Sequence, residues 1–314
     1  MTLDSTAPVS DQVRAACAWV SGQARFVRIE EEAIDAYAAG LPAEADTDEP
    51  DPATTLPDAD RETRAAFAIC LNAINFGSGW WPTIRKRPGH SGYFTIAAGL
   101  TERFREAGAW SPPELTRIHA ADIAEVLGQD PEHPLMPQFA ASLRDVGSHL
   151  LADHDGRFEV AVDFAAGSAL ALADLLAGWD AFADVSTYEG RPVPFFKRAQ
   201  LAAADVDRAG VASFPDRARL TAFADNLVPH VLRVDGVLLL DQDLKDAIEA
   251  EELLVHGSPE EVELRACAVH AVELLTTATD GRLSPPEIDA ALWNRGRDPR
   301  YKAIPRPRCR NTAY

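Results

Sequence analysis

Ser284-Pro285-Pro286-Glu287 is a helix start written in four residues: a serine to cap, a proline at the first helical position, and a glutamate whose carboxylate can return to the serine. The same arrangement stands at Ser111-Pro112-Pro113-Glu114 and at Ser258-Pro259-Glu260-Glu261. Around these three starts, helix formers at helical spacing run over residues 12–21, 30–39, 61–74, 94–107, 138–149, 162–176, 195–208 and 242–254. Strand candidates are few and short, at 26–29, 158–162 and 237–240. No internal repeat is visible. The spacing predicts an all-α protein, a single mostly helical domain over 1–314 with at most short β segments.

Composition narrows the function classes. The net charge is −19, which opposes binding to duplex DNA or intact tRNA, since affinity for a polyanion comes largely from Lys and Arg on phosphates. The longest apolar run, 169–176, is interrupted by Asp174, short of the ~18 residues a membrane span needs. No basic, apolar leader is visible at the start, so a cytoplasmic address is expected. Cys17, Cys70, Cys267 and Cys309 stand far apart, which argues against a zinc site and a disulfide framework. Residues 41–60 combine Pro42, Pro50, Pro52 and Pro57 with seven acids and no base, the composition of an acidic surface loop. The end of the chain is the reverse. Arg295, Arg297, Arg300, Lys302, Arg306, Arg308 and Arg310 face only Asp298, which is either a solvated tail or, over 295–314, a basic segment packed at a site for one small anion.

The most informative carboxylate is Asp225, in Phe223-Ala224-Asp225-Asn226-Leu227-Val228-Pro229. A proline inside a helix leaves the carbonyl four residues back without its N–H partner. With helix formers over 216–224, the spacing predicts a helix bent at Asp225, which is then either a solvent-facing helix end or the carboxylate of a site. Asn75-Phe76-Gly77-Ser78-Gly79-Trp80-Trp81-Pro82 sets glycines beside aromatic rings, either a plain loop or a place where backbone approaches a planar ligand. Lys197 and Arg198 stand near a predicted helix start, where cations are unfavourable without an anion. The alternative is that they reach water or acids such as Asp205.

Other patterns carry less. Glu263, Cys267 and His270 share one helix face, but no fourth ligand is suggested, and Glu263 is expected to meet Arg265 or the basic tail. Thr279-Asp280-Gly281-Arg282 lacks the front half of a calcium loop. No G-x-S-x-G or H-E-x-x-H occurs.

Several of these segments together resemble the queuosine salvage proteins: Asn75-Phe76-Gly77-Ser78-Gly79-Trp80, Ser91-Gly92-Tyr93-Phe94, Phe196-Lys197-Arg198-Ala199-Gln200, Phe223 to Pro229, Glu261-Val262-Glu263-Leu264-Arg265, and Pro305-Arg306-Pro307-Arg308-Cys309-Arg310-Asn311-Thr312-Ala313-Tyr314. They span most of the chain from about Arg61 to Tyr314 in the family's order. The resemblance implies a queuosine 5′-phosphate N-glycosylase that releases the base queuine, on an all-helical fold similar to helix-hairpin-helix DNA glycosylases. The implied setting is queuine salvage for tRNA modification.

The chemistry can be reasoned from the bond. Breaking an N-glycosidic bond puts positive charge on the ribose, so a fixed carboxylate stabilises the transition state and can activate water. Asp225 is the expected catalytic residue. The base is a 7-deazaguanine without the N7 that purines protonate on leaving, and it carries an amine for which Glu263 or Asp289 is the expected partner. Phe76, Tyr93, Phe94 and Trp293 are the expected stacking faces; Lys197, with Arg265 or the basic segment, the expected phosphate site. Asn226 and Tyr314 complete the expected substrate-contacting set. The expected partner is a free nucleotide, bound by a monomer without metal or organic cofactor. The competing classes are a nucleotide-binding helical module that does not cleave, and a scaffold in which Pro229 only redirects the chain.

Overall fold

The computed structural model describes residues 7–43 and 55–314. In chain order its elements are α1 (Val9–Ser21), β1 (Val27–Ile29), α2 (Glu31–Ala39), α3 (Arg61–Ala73), α4 (Gly92–Ala107), α5 (Pro112–Leu115), α6 (Ala120–Leu127), α7 (Leu135–Asp153), α8 (Phe158–Phe164), α9 (Ala169–Ala177), β2 (Val185–Tyr188), β3 (Arg191–Pro194), α10 (Lys197–Arg208), α11 (Leu227–Val234), β4 (Leu238–Leu240), α12 (Gln242–Glu249), β5 (Leu253–Leu254), α13 (Pro259–Ala278), α14 (Pro285–Arg295), α15 (Pro299–Lys302) and β6 (Arg308–Cys309). The strands pair two by two, β1–β4 and β2–β3 antiparallel and β5–β6 parallel. The protein is mostly helical, as its sequence predicts.

The helices start where local chemistry starts them. Ser111 and Ser284 each donate from N–H and hydroxyl to the glutamate three places on, Glu114 and Glu287. At α13, Ser258 accepts the Glu261 N–H, while the Glu261 carboxylate takes the Gly257 N–H instead of returning to the cap. Apolar faces then sort into two clusters. One gathers α3, α4, α6, α7, α8, α9 and α10; the other gathers α1, α2, α11 and α14 around α13. Phe196, just before α10, packs on both. The helix α13 is buried on nearly every face, the pattern of a core helix, and so it is the post on which the second cluster is built.

Four stretches depart from the sequence reading. Residues 158–162 are not a strand but the start of α8, because the Glu62 carboxylate of α3 accepts the N–H groups of Phe158 and Glu159 and caps the helix from outside (both 2.8 Å). The predicted helix 162–176 is two helices bent by 117°, broken where Ala166 and Gly167 take positive φ and Ser168 caps α9. The predicted helix 242–254 stops at Glu249; Glu251 turns left-handed and Leu253–Leu254 join β6. Residues 216–224 hold only one short helical turn at Arg217–Arg219. Of the acidic 41–60 stretch, 44–54 lie outside the described residues, and Leu56 at its far end is buried against the first cluster. Among the described residues no single helix is long and apolar enough to cross a membrane.

Candidate active site

The segment before α11 is extended because three side chains satisfy its backbone in place of a helix. The Thr221 N–H donates to Gln200 Oε1 (3.0 Å), and Gln200 Nε2 donates back to the Thr221 hydroxyl (2.9 Å). The Phe223 N–H donates to Asp289 Oδ1 (2.8 Å), and Arg265 Nε donates to the Ala224 carbonyl (3.0 Å). Four residues on, Pro229 is the third residue of α11, among the N–H positions that have no partner inside a helix, so nothing bends there. The expected kink is therefore absent. Asp225 stands just ahead of α11 instead, and its Oδ1 accepts the N–H groups of Leu227 (2.8 Å) and Val228 (3.0 Å). The half-buried carboxylate is fixed by one oxygen; among the described residues nothing hydrogen-bonds the other, Oδ2.

Asp225 lines a cleft of about 690 Å³. Two further ionisable groups share its inner end. Asp289 is buried, and its burial, with the Asp225 charge beside it, pushes its carboxyl well above the usual range, against the Phe223 N–H and Lys197, which favour the carboxylate. Lys197 at the first position of α10 is 6% exposed; burial lowers its amine to about 8 against the opposing pull of Asp225. Its Nζ donates to the Asn75 carbonyl (3.2 Å), not to Asp205. From the basic segment, Arg297, Lys302 and Arg306 line the cleft. Burial depresses Arg306, Asp225 opposing, yet a guanidinium stays charged. The other four bases are engaged elsewhere: Arg295 and Arg300 on Asp235, Arg308 on Glu251, Arg310 over Trp80.

Tyr93, Phe94 and Trp293 form one wall, packed edge to face or tilted with ring centroids 5.2 to 6.1 Å apart, and Arg297 caps Phe94 and Trp293. Phe76 lines the floor while packing edge-on to Phe139. Asn226 and Tyr314 also reach the cleft, Asn226 donating to the Pro307 carbonyl (2.8 Å). Asn75, Phe76, Ser78 and Trp81 of the glycine loop line the cleft, while its glycines face the protein: a Cβ on Gly79 would lie 2.5 Å from the Cys309 carbonyl oxygen, and the Gly77 N–H donates to the Tyr314 carbonyl. Gly79 admits the chain's own last residues, while Gly77 takes a positive φ against the Leu135 side chain. Buried Arg198 completes that junction, donating to the carbonyls of Ala73, Thr312 and Ala313 between the Phe76 and Phe182 rings.

Two expected site residues lie outside the cleft. Glu263 is fully buried in the second cluster, where its Oε2 accepts the N–H groups of Arg25, Phe26 and Val27 and its Oε1 the Tyr188 hydroxyl; it holds β1, not Arg265 or the tail. Cys267, on the same helix face, bonds the Val27 carbonyl, so that face ties down β1. Arg265 is buried in a bidentate pair with Asp184 (3.0 and 2.7 Å), between the rings of Phe195 and Tyr314. Asp184 in turn accepts the Lys197 N–H (3.1 Å), so Arg265 supports both Asp225 and Lys197 from behind. Sequence reading missed Asp184 and the Gln200–Thr221 pair, whose partners lie far away in the chain. It took Asp205 only as an acid that Lys197 or Arg198 could reach, though that residue itself lines the cleft, eight places from Lys197 on one helix.

Residues 55–314 match the family model described as queuosine salvage protein. A Sphaerobacter thermophilus protein named queuosine 5′-phosphate N-glycosylase/hydrolase is 34% identical over 266 residues, covering 81% of this chain and 82% of that one. Proteins of the same name from Dictyostelium discoideum and Bos taurus are 28% and 29% identical, covering 90% and 69% of this chain and 92% and 70% of their own lengths.

Proposed function

This chain belongs to the queuosine salvage protein family, and from that premise we propose that it hydrolyses the N-glycosidic bond of queuosine 5′-monophosphate to give queuine and ribose 5-phosphate. The observation that carries the reading is the meeting of three groups in the cleft: an anchored carboxylate with a free oxygen, a buried carboxyl pushed toward its neutral form, and a buried lysine.

Their roles follow from their states. As the C1′–N bond lengthens, positive charge spreads over the ribose, and Asp225 faces it with a carboxylate that α11 holds in place, so little reorganisation is needed. Oδ2 is left to orient a water and take its proton as the water oxygen bonds C1′. The electron pair of the broken bond leaves with the base, and Asp289 supplies the proton that neutralises it. A 7-deazapurine needs such a donor because it has no N7 to protonate. Asp289 is thereby given a role different from pairing with the amine, since a protonated carboxyl is a poor partner for an ammonium. Solvent then moves the proton from Asp225 back to Asp289.

Lys197 and Arg306 hold the 5′-phosphate, whose charge would also keep Lys197 in its ammonium form to higher pH. The wall of Tyr93, Phe94 and Trp293 gives the base a face to stack on. A few cations suffice for a free nucleotide where a nucleic-acid polymer would require a broad basic face. The test is incubation of purified protein with queuosine 5′-monophosphate and chromatography of the products: queuine and ribose 5-phosphate in equal amounts are expected. Tight stoichiometric binding with no base release would replace the hydrolase by a binding module.

A further inference from the structure

One stripe of α10 runs the length of the cleft. Lys197, Leu201, Asp205 and Arg208 all line it, at helical intervals of four, four and three. Phe67, Ala68 and Leu71 of α3 line it too, and α3 packs against α10, so the two helices bound a groove whose walls are apolar up to Arg64, which is held on the Ala209 carbonyl (2.7 Å). Eight residues of helix rise about 12 Å, so Asp205 stands in the groove roughly one nucleotide's length from Lys197. It is the only acid on that stripe of α10. Its Oδ2 accepts from the Nδ2 of buried Asn72 (2.8 Å), which fixes the carboxylate, while Oδ1 pairs with exposed Arg208.

On the reading proposed above, the substrate's base carries an amine that is cationic at neutral pH, and this group must find an acceptor inside the cleft. Asp225 is committed to the ribose, Asp289 to the Phe223 N–H and the leaving base, and Glu263 lies outside the cleft. We infer that the α3–α10 groove is the subsite for the ammonium-bearing arm of the base, and that Asp205 is the carboxylate that reads it. Asn72 pre-sets one carboxylate oxygen, and the apolar walls strip water from the arm. The cation of the arm displaces Arg208, whose side chain is 48% exposed and swings into solvent at little cost. The groove thus selects a base bearing a cationic extension from one that ends at its ring, because an uncharged base leaves the groove to water.

The experiment compares queuosine 5′-monophosphate with 7-deazaguanosine 5′-monophosphate, which keeps ring, ribose and phosphate but lacks the arm. For wild-type protein, kcat/KM is expected to favour the armed substrate. In Asp205→Asn the preference falls by about 10- to 100-fold, the worth of one charged hydrogen bond, through KM and with kcat for the armed substrate largely kept. Arg208→Gln, which removes the competing cation, lowers KM for the armed substrate alone and supplies the test should the Asp205 variant fold poorly. Equal losses on both substrates in Asp205→Asn would make the residue a mere tether for Asn72 and overturn the subsite. So would an unchanged preference in both variants. Wild-type protein that cleaves neither nucleotide overturns the hydrolase reading, and the subsite with it; cleavage of both with no preference overturns the subsite alone.

Discussion

Two charged clusters meet at residues 221–225, and they are built to opposite rules. On the inner side Arg265 is saturated: both Nη groups go to Asp184, Nε goes to the Ala224 carbonyl, and rings lie on both faces. On the cleft side Asp225 keeps an oxygen free, the Asp289 carboxyl is pushed well above the usual range, and Lys197 down to about 8. A buried charge with every partner in place holds architecture. Charges buried beside one another without full pairing raise the energy of the empty cleft, and a ligand with complementary charge recovers that energy. The two clusters therefore separate stability from activity within one stretch of five residues.

The sharpest test of that division is Asp225→Asn. It keeps the helix-capping oxygen but removes the charge that faces the ribose, so kcat is expected to fall by about 10³-fold or more while thermal unfolding moves little. A variant that turns over normally would break the comparison outright. Arg265→Leu should do the reverse, costing about 3–5 kcal/mol because Asp184 is left buried and unpaired. Denaturant unfolding measures it; a loss below about 1 kcal/mol would mean that the inner cluster is no more structural than a surface pair.

How much of this was legible depended on how far each residue's partners lay along the chain. The serine caps of α5 and α14 were readable because cap and glutamate are three residues apart. Asp225 was readable as a carboxylate beside a helix boundary, but its setting was not. A proline in the first turn and one in mid-helix look alike in sequence, and the choice was made by Gln200, Arg265 and Asp289, each remote from the segment they extend. Glu263 failed for the same reason: its Oε2 is filled by backbone more than 230 residues away, and its Oε1 by the Tyr188 hydroxyl. The aromatic wall was found by residue type alone, since Phe94 and Trp293 come together only when α14 reaches the start of α4. Asp205 needed no tertiary knowledge, only the helical count from Lys197.

Lys197→Met is the next smaller probe, because it changes both sides of the comparison in opposite directions. Loss of the phosphate contact should raise KM by about 10- to 100-fold. Stability should rise, however. The folded amine titrates near 8 and the unfolded one near 10.5, so between those values the unfolded chain binds more protons and stability climbs with pH. Below about 8 the whole cost of burying the ammonium is present, on the order of 3 kcal/mol, and methionine removes it. Thermal unfolding at pH 7 and at pH 10 should show the variant ahead at the first and much less so at the second. A variant less stable than wild type at pH 7 would mean that the Asn75 carbonyl and the two acids already pair this lysine fully.

The mildest expectation is the pH dependence of wild-type activity, which reads the same lysine without a mutation. For the free protein kcat/KM should fall as pH rises through about 8, where Lys197 loses its proton and with it the attraction for the phosphate. Asp289 deprotonates in the same direction, since its carboxyl lies above the usual range, and its loss acts on the bond-breaking step. The two are separable. A nucleoside lacking the 5′-phosphate makes no use of Lys197, so its alkaline limb should shift to the limb set by Asp289 alone, while Asp289→Asn should flatten whatever remains. If nucleotide and nucleoside share one alkaline limb, Lys197 does not hold the phosphate, and its place beside Asp225 must serve the ribose instead.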